Sequence, residues 1–98
     1  MVVVGDWSCF EFHRDRHLIF IDASLAVAQF LLALVVQGCA GVPINWPDIE
    51  DNNNTVRKLL SLEKWEMPIM LIGFGKPLDE ATIPFSQKKS VTDLLSEQ

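Results

Sequence analysis

Two histidines near the start of the chain, His13 and His17, have a spacing that could hold a metal ion. Residues four apart share one face of a helix, so both imidazoles could reach a single ion. The segment around them, Cys9 to His17, is polar and charged, which predicts a loop. A third ligand would have to come from Asp15 or from elsewhere in the chain. We therefore interpret both as surface histidines and predict no metal site.

Other short motifs fail at a required residue. The triplet at 13–15, His-Arg-Asp, matches the start of a kinase catalytic loop, but Phe20 stands where that loop needs Asn. Gly75-Lys76 is followed by Pro77 instead of the Ser or Thr of a phosphate-binding loop. No Ser-His-Asp order and no pair of carboxylates indicates an acid–base enzyme. No catalytic residue is therefore assigned.

The composition predicts one small domain that associates with a partner. The chain has 98 residues, of which 49% are hydrophobic, and a net charge of −5. This length predicts a single domain over residues 1–98. The acidic balance disfavours nucleic-acid binding, which needs a basic surface. Three Trp and six Phe, with many aliphatic residues, exceed what so small a domain buries, so we expect a homo-oligomer.

The two cysteines and the first residues of the chain indicate the cellular compartment of the protein. Cys9 and Cys39 are too few for a disulfide scaffold, and we predict two buried free thiols, with a bridge between them as the alternative. The start of the chain lacks the basic region of a secretory signal. Both observations favour a cytoplasmic protein.

The apolar segment Leu18 to Val36 is nearly long enough to cross a membrane. It contains Asp22, and an aspartate inside a membrane span is costly. We interpret Asp22 and Ser24 as residues at the start of a helix that is buried on nearly all sides and ends at Gly38. A membrane-anchored segment remains the alternative, and no membrane partner is predicted.

The remaining pattern completes a β-α-β-α-β order followed by an extended tail. It predicts an α+β fold with a three-stranded sheet, one long buried helix, one shorter helix and a C-terminal tail. The predicted elements are strands at Val2–Trp7, Cys39–Ile44 and Pro68–Phe74, helices from Asp22 to Gln37 and from near Asn53 or Asn54, a turn over Asp48–Asn54, and a tail from Gly75 to Gln98 with a short turn or strand at Val91–Leu95.

Several stretches of the chain form a further pattern in their order and spacing. They are Asp15-Arg16-His17, Ile21–Ala26, Gln29–Leu34 and Gln37-Gly38 around the long helix, then Gly41–Trp46, Pro68–Gly75 and Pro84–Lys89. Read together, these stretches resemble the nitroreductase family over essentially the whole chain. Family members are about twice this length, so the resemblance implies the C-terminal half of the fold. It also implies that an N-terminal, Arg-rich element contacting the flavin phosphate is missing.

The resemblance implies an FMN-dependent oxidoreductase that moves electrons from NAD(P)H to nitro compounds, quinones or similar small acceptors. On it, Pro43 and Ile44 lie against the flavin ring, and the backbone N–H groups of Asn45 and Trp46 face the ring edge. Ser86 and Lys88 would contact the phosphate, where Lys88 lacks the forked geometry of the usual Arg. The alternative is a small, non-enzymatic association module that has lost flavin binding.

Overall fold

The computed structural model describes residues 1–47 and 49–95. Its longer elements are β1 (Val2–Asp6), α1 (Leu18–Val36), β2 (Ala40–Asn45), α2 (Glu50–Leu60) and β3 (Glu66–Gly75), followed by the short helix α3 (Val91–Leu94). Two 3₁₀ turns, Trp7–Cys9 and His13–Asp15, connect β1 to α1.

The three strands form one antiparallel sheet in the order β1-β3-β2. The apolar strand β3 lies in the centre, and the two strands at the sheet edges pair with it over most of their length. A register shift between Val3 and Val4 marks a bulge in the β1–β3 pair. The predicted three-stranded α+β fold is confirmed.

The hydrophobic core lies between one face of the sheet and one face of α1. Ile19 and Ala23 of the helix pack with Ile69 of β3. Further along, Ile72 is only 1% exposed, and the ring of Phe30 on α1 meets that of Phe74 edge-on at 5.7 Å between centroids. These contacts fix the helix against β3.

The helix also approaches β2 closely because that strand has a glycine at the contact point. A Cβ atom on Gly41 would lie 2.7 Å from Leu31 Cδ2 and 2.8 Å from Leu34 Cδ1. Such distances are too short for carbon atoms in contact, so a larger residue at this position would force the Leu31 and Leu34 side chains to shift.

The predicted start of the long helix is wrong by four residues. The helix begins at Leu18, and Asp22 and Ser24 lie inside it instead of capping it. The Ser24 hydroxyl donates a hydrogen bond to the Phe20 carbonyl oxygen at 2.7 Å, the back-bond that lets serine stay within a helix. The predicted end is confirmed, because Gly38 adopts a positive φ of 69° just after the last turn.

The long helix is buried on one face only, which corrects the prediction of burial on nearly all sides. Four of its residues are buried, whereas Leu25 and Leu32 are 63% and 69% exposed. The helical stretch His13–Val36 is long and apolar enough to cross a membrane by length and composition alone. In this fold its inner face packs on the sheet.

The second helix begins earlier than its sequence predicts. It runs from Glu50, so the predicted turn before Asn53 is helical, while Asp48 lies outside the described residues. Neither Asn53 nor Asn54 caps it; two acidic residues in its first turn and two basic residues in its last turn complement the helix dipole. Leu59, near the end of the helix, is largely exposed.

The tail after β3 is extended, as predicted, with one short helix near its end. The Ser90 side chain and Asp93 cap that helix reciprocally. The radius of gyration is 16.9 Å, compared with about 13 Å for a compact domain of this length. The two cysteines are free, but Cys9 is exposed and Cys39 half-buried, so the prediction of buried thiols is wrong.

Candidate functional site

The strongest candidate site is the end of β2, where the sequence places Pro43, Ile44, Asn45 and Trp46. Every residue of β2 is exposed, and the strand forms one edge of the sheet within the described part of the chain. An edge strand presents unpaired backbone groups that can bind a ligand or another strand.

The backbone direction of these residues follows from the hydrogen bonds of β3. Both backbone groups of Ile72 are bonded to Met1, at 2.8 and 2.9 Å, on the side away from β2. Ile72 lies opposite Pro43 in the β2–β3 pair, so these two residues make no backbone hydrogen bond to each other. Proline, which has no N–H, fits this position.

The same alternation fixes the backbone of Asn45. It lies two residues beyond Pro43 in a register without irregularity, opposite Met70. Its N–H and C=O groups therefore point away from β3, toward the free edge. The end of β2 thus offers a main-chain N–H donor that needs no particular side chain, and sequence motifs cannot reveal such a donor.

The side chains at this edge alternate between the two faces of the sheet. Because a Cβ on Gly41 would meet α1, Gly41 and Pro43 lie on the helix side, whereas Val42 and Ile44 lie on the opposite side. Val42 is 56% exposed and Ile44 47%. A flat ligand along the edge would meet Pro43 on one face of the sheet or Ile44 on the other.

A hydrogen bond from β2 to α2 anchors the end of this segment. The Trp46 indole Nε1–H donates to Asn53 Oδ1 at 2.7 Å in a half-buried position. This bond ties the residue after β2 to the first half of α2. Sequence reasoning missed Asn53 as a supporting residue because the two residues are on different elements.

The predicted phosphate contacts lie elsewhere in the chain. Lys88 Nζ donates to Ser86 Oγ at 3.1 Å in the exposed tail, so these two residues are brought together. Among the described residues, no hydrogen bond or ion pair joins them to the segment from Pro43 to Trp46. The structure therefore does not connect the end of β2 with the part of the tail that carries Ser86 and Lys88.

The two histidines do not form a metal site with other residues. Within residues 1–47 and 49–95, no group of three or more His, Cys, Asp or Glu could hold an ion. Both histidines instead line an open cavity together with Trp7, Arg16 and Phe20.

Comparison with protein families assigns residues 10–76 to the nitroreductase family model. The matched region includes the whole of α1, β2, α2 and β3. No curated protein sequence matches significantly.

Solved structures share the fold. A protein from Parabacteroides distasonis, provisionally named an NADH dehydrogenase/NAD(P)H nitroreductase, is 30% identical with a TM-score of 0.70, covering 93% of this chain and 50% of its own. A similarly named protein from Bacteroides thetaiotaomicron is 28% identical with a TM-score of 0.71, and the match covers 99% and 53%.

A protein from Clostridium acetobutylicum, provisionally named an NADH oxidase, is 16% identical with a TM-score of 0.69 over 94% of this chain and 53% of its own, which shows the fold alone. The chain thus spans about half the length of the solved structures it matches.

Proposed function

Because the chain belongs to the nitroreductase family, we propose that it is part of an FMN-dependent oxidoreductase that takes electrons from NAD(P)H. The names of two solved relatives, an NADH dehydrogenase/NAD(P)H nitroreductase in each case, support this class of reaction. The electron acceptor would be a nitro compound, a quinone or a similar small molecule. When bound, the flavin supplies the hydride and electron chemistry, and the protein positions it.

The observation that carries this proposal is the outward-pointing backbone of Asn45 at the free edge of β2. A fixed N–H at a flavin ring edge stabilises negative charge on the reduced ring. Pro43 or Ile44 would supply the apolar contact beside it. The bond between Trp46 and Asn53 would hold the segment in place while the ligand binds.

The phosphate end of the flavin would be held weakly by this chain. Lys88 and Ser86 are the proposed contacts, but they lie on the exposed tail and are bonded to each other. We propose that the chain corresponds to the C-terminal half of the family fold, whose other half would supply further phosphate ligands. Each missing charge-assisted hydrogen bond lowers affinity by roughly 10–100-fold, so we expect weak binding of FMN.

We also propose that the chain forms a homodimer in the cytoplasm. The support is the apolar outer face of α1, including Leu25 and Leu32, together with an expanded shape. Exposed apolar patches of this kind mark surfaces that associate. Asp22 on an exposed part of α1 favours a protein partner over lipid. In a dimer, the tail of one copy could bring Lys88 to the site of the other.

The test is to titrate the 98-residue protein into FMN and to measure binding by the quenching of flavin fluorescence. Asn45→Pro removes the proposed N–H donor at a position where the β-ladder does not use it, whereas Asn45→Ala keeps the donor. We expect Asn45→Pro to weaken FMN binding about tenfold or more and Asn45→Ala to change it less than about twofold.

Two results would contradict the proposal. Equal affinity of Asn45→Pro and the unmodified chain would show that the donor is not used. No saturable FMN binding by the unmodified chain would instead favour a small association module without flavin.

A further inference from the structure

A cavity of about 330 Å³ lies where the turn after β1 meets the first turn of α1. Two aromatic side chains line it, Trp7 and Phe20, each 40% exposed. The backbone N–H of Trp7 donates to the Trp65 carbonyl oxygen at 2.9 Å, which fixes the turn that carries the indole. This volume falls in the range of small-molecule sites and holds one or two fused rings.

The residues beside these rings are basic, although the chain as a whole is acidic with a net charge of −5. His13, Arg16 and His17 complete the lining. Arg14, the other arginine here, is engaged elsewhere: its guanidinium lies 4.6 Å from the centre of the Phe12 ring, and its Nε lies 3.9 Å from Asp15.

Arg16 has no such engagement. Within residues 1–47 and 49–95, its guanidinium makes one long hydrogen bond, 3.4 Å to the His13 carbonyl oxygen, and no carboxylate pairs with it. Most of its five N–H donors therefore remain available at the cavity. Guanidinium groups bind carboxylate and phosphate oxygens in a two-bond geometry.

The end of α1 beside the cavity carries the same sign of charge. His17 provides no side-chain cap, and the first turn of α1 contains no acidic residue. The positive end of a 19-residue helix thus faces arginine and histidine side chains. A bound anion would offset this unfavourable arrangement, although the helix end alone would not define a site.

We infer that this cavity binds a small aromatic anion, with its ring against Trp7 and Phe20 and its anionic group on the Arg16 guanidinium. The observation is the juxtaposition of two exposed aromatic side chains and an arginine without an acidic partner around one cavity. Aromatic carboxylates and aromatic phosphate esters share this chemistry. The inference does not depend on flavin binding at β2.

The test uses the 98-residue protein with 2-naphthoate, 1-naphthyl phosphate and the uncharged 2-naphthylmethanol. Binding is measured by calorimetry and by the NMR signals of the three indole N–H groups, assigned with Trp→Phe variants. We expect both anions to bind saturably and to shift the Trp7 signal, with Trp46 unmoved. The tighter of the two anions identifies carboxylate or phosphate as the preferred group. The uncharged alcohol should bind at least tenfold more weakly.

A matched pair of arginine variants tests the role of Arg16. Arg16→Gln should weaken binding of either anion about tenfold or more, and Arg14→Gln should change it less than about twofold. Asn45→Pro should leave this binding unchanged, which separates it from the flavin site. Equal binding of the alcohol and the anions, equal effects of the two arginine variants, or the absence of a Trp7 shift would each overturn the inference.

Discussion

Both faces of α1 carry large apolar side chains, but their surroundings differ. On the inner face, Ile19, Ala23 and Val27 are buried against the sheet. On the outer face, Leu25 and Leu32 are mostly exposed. A helix that is hydrophobic all round therefore covers only one side of its own sheet, and the other side remains available for a partner.

The difference shows that apolarity alone does not identify the core of this protein. Soluble monomers seldom expose a continuous apolar helix face, because covering it stabilises the protein by roughly 25 cal/mol per Å². The inner face should therefore control folding, and the outer face should control association.

The largest expected effect comes from placing an aspartate on the inner face of α1, compared with the same change on its outer face. Val27→Asp buries an unpaired carboxylate at a position that is 6% exposed. This burial costs several kcal/mol, which is comparable to the whole free energy of unfolding of a small domain. We expect this variant to be insoluble or unfolded, as measured by circular dichroism and urea denaturation. A cooperatively folded Val27→Asp protein would show that the inner face is assigned wrongly.

The same substitution on the outer face should spare the fold. Leu32→Asp places its carboxylate in water, so we expect a folded protein whose self-association is weakened. Sedimentation equilibrium measures the change, with Lys58→Ala as an exposed control that leaves both properties unaltered. A Leu32→Asp variant that associates as tightly as the unmodified chain would contradict the proposed interface.

The sequence predicted the strands of this fold well and the surroundings of α1 poorly. The run from Pro68 to Phe74 is short and continuously apolar, which indicates a central strand. In α1 the apolar residues occupy every face, so no periodicity shows which face meets the sheet. Asp22 and Ser24 resembled caps because both residue types are common there, but a cap is defined by backbone geometry.

The close approach of α1 to β2 should tolerate less change than the open part of β3. Gly41→Val adds methyl groups where the Leu31 and Leu34 side chains already meet the strand, and we expect a loss of about 1–3 kcal/mol. Gly73→Val is the matched control, because a Cβ there makes only an ordinary 3.5 Å contact with Val42. Urea denaturation measures the stability of both variants. Equal losses of stability would show that contact with α1 at Gly41 does not cause the effect.

A smaller effect is expected where α1 ends. Gly38 has a φ of 69° and nothing within 4 Å of an added Cβ, so Gly38→Ala would add backbone strain without a clash. We expect this variant to lose about 1 kcal/mol of stability, as measured by thermal unfolding. Gly75→Ala, in equally open space but without a positive φ, should cost little or nothing. A loss at Gly75 as large as that at Gly38 would rule out strain as the explanation.

The sequence could point to the candidate site because the segment that forms it is contiguous in the chain. The residues from Pro43 to Trp46 stand together at the end of β2, so a resemblance could locate them. The donor at Asn45 depends on β2 being an edge strand, and the anchor at Asn53 depends on where α2 packs. Both are properties of tertiary structure that local sequence does not encode.

The smallest effect concerns the turn that leads from β1 toward α1. The Asp6 carboxylate accepts a hydrogen bond from the Ser8 backbone N–H at 2.7 Å, and bonds from Ser8 hold the pKa of Asp6 below its ordinary value of 3.8. A carboxyl whose pKa is lower in the folded state stabilises the fold fully above that ordinary value, and this contribution is lost as the pH falls through the folded pKa.

Asp6→Asn should therefore narrow the difference in stability between neutral and acidic solution. Urea denaturation of the variant and the unmodified chain at pH 7 and at pH 2 to 3 gives the comparison. Because Asp6 is only partly buried and water screens its charge, we expect a small loss of stability at pH 7 that disappears in acid. A loss that persists unchanged at acidic pH would mean that Asp6 acts through the shape of its side chain, as a cap on the Trp7–Cys9 turn, and that its charge contributes nothing.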